Sequence, residues 1–263
     1  MRSWLAVAVL AAASSMAPGQ YTTSLAPDPV EPNKPLVLRL TRADAGVARP
    51  GDAIAWADAS LTHFFARAIG TQENRDSVLS RGDDPSALEW PAPEPGVLVV
   101  GADLAAREEA LTGAQLRALA GPNAKGLADL APEGAIDVRR VECAKAILRT
   151  GGGGSEVATS KTGQTAEIRP LMDPTRLTLP SDMAVRLYAG GSGASGARVT
   201  ALHLDSGTVA RSDADAQGIA NITLDRAGRW RLEFHAPARE GEAWLVRSAT
   251  LTFDAGPVQE AGR

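Results

Sequence analysis

Over Arg229–His235 apolar and polar side chains alternate without a fault: Trp230, Leu232 and Phe234 on one side, Arg229, Arg231, Glu233 and His235 on the other. A period of two is what a β-strand presents to the two faces of a sheet, and a helix cannot segregate such a pattern. The rest of the stretch from Thr165 to Phe253 reads the same way. Ala166–Leu171, Ala184–Tyr188, Arg198–Leu204, Thr208–Ser212, Ile219–Leu224 and Ala243–Phe253 are further strand candidates, parted by turns at the spacing of a β-sandwich. Trp230 and Trp244 are read as core. Burying the triad of Arg229–His235 would contribute roughly 1.5–3 kcal/mol per side chain.

Ahead of this block stands the clearest break in composition, Thr150–Gly154 followed by polar residues to Gln164, which predicts a Gly-rich linker over 151–165. No Lys-Ser or Lys-Thr follows at phosphate-loop spacing. Upstream of it, the prolines Pro27, Pro29, Pro32 and Pro35 predict an extended lead-in. Short strands are expected at Leu36–Leu40, Ala53–Trp56, Thr62–Ile69 and Val97–Val100. In Thr62–Ile69, His63, Phe65 and Arg67 share one face and Phe64, Ala66 and Ala68 the other. Residues 103–121 read as the one helix, with Thr112 and Gln115 in a capping-box spacing and Gly121-Pro122 as its stop. Val138–Arg149 fits either period.

The amino terminus carries an address. Arg2 precedes an apolar run from Trp4 to Ala13, and Ala17-Pro18-Gly19 offers small residues before Gln20, the pattern of a secretory signal over residues 1–19. No later stretch is long and apolar enough to span a bilayer. The reading is a periplasmic or secreted protein without a membrane span after signal cleavage. Lys+Arg total 27 against Asp+Glu 31, net −4, which excludes nucleic-acid binding by bulk charge. The single Cys143 excludes a disulfide scaffold and is expected to be buried and inert.

Several segments, in order, resemble a bacterial secreted family described as a domain of unknown function, some of whose members are periplasmic components of nickel uptake. The segments are Arg81-Gly-Asp-Asp-Pro, Pro95-Gly with Val97–Gly101, Arg140–Gly151, Glu167–Pro174, Gly196–Val199, Ser212–Gly218, Ala227–Trp230, His235 and Trp244–Phe253. The resemblance implies a β-rich amino-terminal domain over 20–150, with one short helix. It also implies an immunoglobulin- or transthyretin-like sandwich over 166–254, a strand at 140–150, and a tail over 255–263. Members of the family open with a His-Asp-Phe-Trp-like segment whose histidine suits a transition metal. This chain has Gln20-Tyr21-Thr22-Thr23 there instead.

Chemistry-bearing residues are sparse. Imidazole suits nickel, copper and zinc, and only His63, His203 and His235 supply it. His203 and His235 lie on different strands of the same predicted sandwich and are the candidate metal ligands, for nickel or another transition metal. Asp213-Ala-Asp-Ala-Gln-Gly218 has Leu224 where a calcium loop needs its bidentate Glu, and reads as a hairpin turn. The Arg-Gly-Asp tripeptide at 81–83 reads as a turn. Arg139, Arg140, Lys145 and Arg149 read as a solvated strand face. Exposed Trp56 and Trp90 would instead point to a carbohydrate or protein partner. No nucleophile elbow is present. The leading expectation is a mostly β, non-enzymatic ligand-binding or accessory protein, with metal acquisition and an envelope or transporter partner implied by the resemblance. The alternative is a cell-envelope or surface interaction module, and a hydrolase with its site between the domains ranks third.

Overall fold

The computed structural model describes residues 21–30, 34–68, 80–81, 84–90, 95–122, 126–127, 130–131, 133–152 and 156–256. The expected signal (1–19), nearly all of the expected tail (257–263), and Gly82 and Asp83 of the Arg-Gly-Asp tripeptide lie outside the described residues.

In chain order the first half forms β1 (Tyr21–Pro27), β2 (Leu36–Asp44), β3 (Asp52–Ala53), β4 (Leu61–Arg67), β5 (Ser80–Arg81), β6 (Ala87–Trp90), β7 (Val97–Leu104), β8 (Arg107–Thr112), α1 (Gly113–Ala120) and β9 (Ala135–Arg149). The second half forms β10 (Ala166–Pro170), β11 (Ser181–Ala189), β12 (Ser192–Gly193), β13 (Arg198–His203), β14 (Val209–Asp213), β15 (Ile219–Leu224), β16 (Gly228–Glu240) and β17 (Ala243–Ala255). The chain is mostly β, with α1 its one α-helix among the described residues.

A central sheet runs β14-β13-β16-β17-β9-β7-β4, with β8 pairing the early part of β9 where β7 pairs the late part. One of its faces carries Trp230, Leu232, Phe234, Leu251 and Phe253, all buried, against Ile168, Met183, Val185, Leu187, Ile222 and Leu224 of the β10-β11-β12 sheet and its neighbour β15. This is the sandwich that the alternation predicts. The other face is covered by the β1-β2-β6-β5 sheet, where Leu25, Leu38, Leu40, Trp56 and Trp90 meet Phe64, Val100, Ala144 and Leu148. Both faces of β4 are therefore packed, Phe65 in one core and Phe64 and Ala66 in the other, as its pattern predicts.

The expected boundary near 150 does not interrupt this sheet. β17 lies parallel to β9, from Trp244 opposite Val138 to Phe253 opposite Ile147, so strands of the first half extend the sheet of the second. Nor is the expected linker a loose tether over its described part. Glu156–Thr159 form a 3₁₀ turn, and Thr162 and Gln164 are buried. The cause is a buried ion pair, Lys145 Nζ to Glu167 Oε1 at 2.9 Å. A charge taken out of water needs every available donor. Glu167 accepts further bonds from the Thr162 and Gly163 N–H groups at 2.8 and 3.1 Å, and Gln164 donates to Asp103 at 2.7 Å. Burial works to raise the Glu167 carboxyl's pKa. The Lys145 ammonium and these N–H bonds outweigh it and hold the group below its ordinary value.

Three further expectations change. The helix expected over 103–121 begins only at Gly113, because Arg107–Thr112, despite their helix-forming composition, pair with Ala135–Arg140 at the end of the long strand β9. The capping box is as expected: Thr112 Oγ1 accepts from Gln115 N–H and Gln115 Oε1 from Thr112 N–H. Trp56 opens a 3₁₀ turn rather than ending a strand. It is buried edge-on to Phe64 with its Nε1–H on the Ser86 carbonyl at 2.9 Å, and Trp90 is buried too, so the two present no aromatic row. Of Arg139, Arg140, Lys145 and Arg149, only Arg139 is exposed as a solvated face would have it. Arg140 and Lys145 are wholly buried, on opposite faces of β9, and Arg149 pairs with Asp173 while donating to Thr175 at 2.8 Å.

Candidate functional site

The polar half of the alternation in β16 leads to the site. Arg231, Glu233 and His235 share one face and all three are buried. Their cross-strand partners on β17 are Thr252, Thr250 and Ser248, small hydroxyl residues that are buried as well. On β9 the same face brings Glu142, opposite Ser248, and Arg140 follows one pleat further on. A slab of the central sheet is thus hydrogen-bonding throughout, and β1 closes over it. Thr23 donates through its hydroxyl to Glu142 Oε2 at 3.1 Å, and its carbonyl accepts from Thr250 Oγ1 at 2.8 Å.

Arg140 is the hub. Its Nη1 donates to Glu109 Oε1 at 3.1 Å, its Nε lies 3.7 Å from Glu142 Oε1, and Nη2 is 3.5 Å from His235 Nδ1. A guanidinium only donates, so His235 Nδ1 is an acceptor, from Arg140 and from Ser248 Oγ at 2.8 Å. The ring proton therefore sits on Nε2. Burial, reinforced by Arg140, holds the imidazole's pKa well below its ordinary value, so it is neutral. Nε2 has no hydrogen-bond partner.

His235 is among the residues that line a cavity of about 190 Å³. Thr200 of β13, Glu233 and His235 of β16, Arg198 and Arg211, Ala118 and Leu119 of α1, and Ala45-Gly46 of the β2–β3 connection line it. Arg211, Thr200 and Glu233 form one row across three strands. Arg198 is held by Asp213 through two bonds of 2.8 and 3.1 Å. Glu233 Oε1 accepts from the Gly46 N–H, and Oε2 sits 3.6 Å from Arg231 Nε without a hydrogen bond. Burial raises the Glu233 carboxyl's pKa against the pull of Arg231. Arg231 in turn donates to the Val47 and Arg49 carbonyls at 2.8 and 3.3 Å, so the 45–49 connection is strapped to the same ion pair.

The two histidines named as candidate metal ligands are not brought together. His203 stands opposite Trp230, five residues along β16 from His235, a separation of roughly 17 Å at about 3.3 Å per residue. It also lies on the other face of the sheet, edge-on to Trp230, with its ring nitrogens on Ser206 Oγ at 2.7 Å and the Ala227 carbonyl at 3.0 Å. The alternation itself separates them, since His203 pairs into the apolar row and His235 into the polar one. His63 is elsewhere, 3.6 Å from Asp103. Among the described residues no three His, Cys, Asp or Glu side chains gather as a metal site. Cys143 is buried, as expected, and burial together with Asp103 pushes its thiol up to about 12. Asp215 accepts from the Gln217 and Ile219 N–H groups at 2.8 Å each, the expected hairpin turn, and Gly218 there has φ +81° with no room for a Cβ. Thr200, Arg211 and Glu233 went unrecognised in the sequence; the charged half of Arg229–His235 was the available signal.

A family model described as "Domain of unknown function (DUF4198)" matches residues 6–237. No curated protein is detectably similar. Among solved structures, the tetra-tandem repeat in the extending region of a large adhesion protein is similar at 15% identity and a TM-score of 0.21. That alignment covers 89% of this chain and 50% of the other, so the chain spans about half of that structure's length.

Proposed function

The chain belongs to the DUF4198 family, and on that footing we propose that it is a secreted, non-enzymatic binding protein whose small polar ligand occupies the cavity between β13, β16 and α1. One observation carries the reading: Arg211, exposed and without a hydrogen bond or ion pair among the described residues, lines a cavity that Thr200, Glu233 and His235 also line. Secretion rests on the signal pattern of residues 1–19. A nickel role, implied by the resemblance for some members, draws no support from His203 and His235, which lie on opposite faces of the sheet.

Thermal unfolding of the purified protein tests the reading, with a panel of small polar metabolites in one arm and Ni²⁺, Zn²⁺, Cu²⁺ and Ca²⁺ in the other. A ligand at about 100 times its dissociation constant stabilises the fold by roughly 2.7 kcal/mol. The expected result is a shift with a metabolite that Thr200→Val reduces. A shift with one transition metal alone, or none with any compound, overturns it.

A further inference from the structure

We infer that the outer face of β10 and β11 is a binding site for a phosphate monoester, held between the Lys161 ammonium and the Arg169 and Arg186 guanidinium groups. Ile168, Val185 and Leu187 turn into the sandwich core, so by alternation Glu167, Arg169, Arg186 and Tyr188 stand on the opposite face, away from the cavity. There Arg169 lies directly opposite Arg186, and Glu167 opposite Tyr188. Like charges directly opposite on neighbouring strands are destabilising, and an anion between them reverses the sign. The protein supplies none. Glu167 is turned to Lys145 and to the Thr162 and Gly163 N–H groups, and among the described residues Lys161, Arg169 and Arg186 have no ion pair.

The donors are open to solvent and held in place. Lys161 is exposed, and Arg169 and Arg186 are half-buried. Arg186 has its Nε enclosed but not its two terminal nitrogens, and Arg169 spends only its Nε, on the Thr159 carbonyl at 2.6 Å. Arg67 donates to the Lys161 and Thr162 carbonyls at 3.1 and 2.9 Å, so the backbone that carries Lys161 is tied down on both sides. Lys161 Nζ and Arg186 Cζ lie 4.4 and 5.2 Å from the centre of the Tyr188 ring, so no more than about 10 Å separates them. A phosphate group accepting at about 2.8 Å on either side spans roughly 8 Å from donor to donor. Charge selects the class. Arg67, Lys145, Lys161, Arg169 and Arg186 gather here in a chain of net charge −4, and among the described residues Glu167 is the one carboxylate that bonds any of them. The fields of Arg67 and Arg169 reach as far as the Lys145 ammonium. A phosphate monoester brings close to two negative charges and three acceptor oxygens, where a carboxylate brings a single charge.

Calorimetric titration of the purified protein with glycerol 3-phosphate and with acetate tests this, beside cosedimentation with phosphatidylcholine vesicles that contain or lack phosphatidic acid, the same group on a lipid. Glycerol 3-phosphate should bind at least about tenfold more tightly than acetate. Lys161→Gln and Arg186→Gln, whose side chains have no hydrogen bond or ion pair to lose, should each weaken it by about tenfold or more, and Arg186→Lys by less. Arg211→Gln, which removes an equally free cation at the cavity, should leave it unchanged. Binding of glycerol 3-phosphate supports the site and assigns the group to a soluble ester. Cosedimentation that needs phosphatidic acid and is lost in Arg186→Gln, without binding of glycerol 3-phosphate, supports the site and assigns the group to a lipid. Acetate binding as tightly as glycerol 3-phosphate overturns the proposal. So does an equal loss in Arg211→Gln, or no binding in either assay.

Discussion

Over β16 and β17 the two faces of the central sheet are both dry and chemically opposite. On one, Trp230, Leu232, Phe234, Leu251 and Phe253 pack without polar atoms save an indole N–H, which Trp230 gives to the Arg226 carbonyl at 3.0 Å. On the other, Arg231, Glu233, His235, Arg140 and Glu142 are buried almost as completely, under β1 and the 45–49 connection. Burial of the first kind is non-directional and tolerates rearrangement. Burial of the second fixes partners one by one, so it dictates where the covering strand must sit. Ion pairs of this kind are weak sources of net stability. Such a layer therefore belongs where register or recognition matters more than stability, and here it borders the cavity.

Four measurements would break or sharpen that contrast. Trp230→Ala removes the centre of the apolar face and should cost about 3–5 kcal/mol in urea unfolding. A cost under about 1 kcal/mol would mean the face repacks freely. Arg140→Ala removes the cation shared by Glu109, Glu142 and the Nδ1 of His235, which keep only Arg107, Thr23 and Ser248, and should cost roughly 3–5 kcal/mol, although no hydrophobic contact is its main loss. A near-neutral result would show that the polar slab is a set of independent pairs.

The third concerns acidity. His235 binds a proton less readily folded than unfolded, so below its ordinary pKa of 6.5 the unfolded chain holds more protons. Stability should fall as pH drops from 6.5 towards the folded value, by at most about 1.4 kcal/mol per pH unit. Glu233, with its pKa raised, acts in the opposite sense, its contribution being lost as pH rises above 4.5 towards its folded value. Comparing the protein with His235→Gln between pH 5 and 6.5 isolates the histidine. An unchanged slope would mean that the imidazole is not held neutral. The smallest effect is expected at Thr112→Ala, which removes the cap of the helix walling the cavity and should cost about 1 kcal/mol; no change in the urea midpoint would show that packing alone holds α1.

The strands of the second half were legible because their alternation and turn chemistry agree, and β15 matches its expected span residue for residue. Arg107–Thr112 were not, since Arg, Glu, Ala and Leu favour a helix in isolation and only the length of β9 beside them makes a strand. The site was half legible. Period two assigns Arg231, Glu233 and His235 to one face, but whether that face meets water depends on β1, β2 and the 45–49 connection, more than 180 residues away in sequence for Val47 and Arg231. Arg211 enters through a cross-strand register that no local pattern encodes. The burial of Arg140 and Lys145 is hidden for the same reason: charge in a strand reads as exposure, as it is at Arg139, and the carboxylates that make burial tolerable come from β8 and β10.

The parallel seam between β9 and β17 has a consequence for how the molecule comes into being. β17 sits in the middle of the central sheet, between β16 and β9, yet in sequence it follows every other strand of that sheet. Everything from β4 to β9 must wait, with one long edge unpaired, until Ala243–Ala255 emerge. A chain that emerges amino terminus first cannot lock its central sheet until that strand is out.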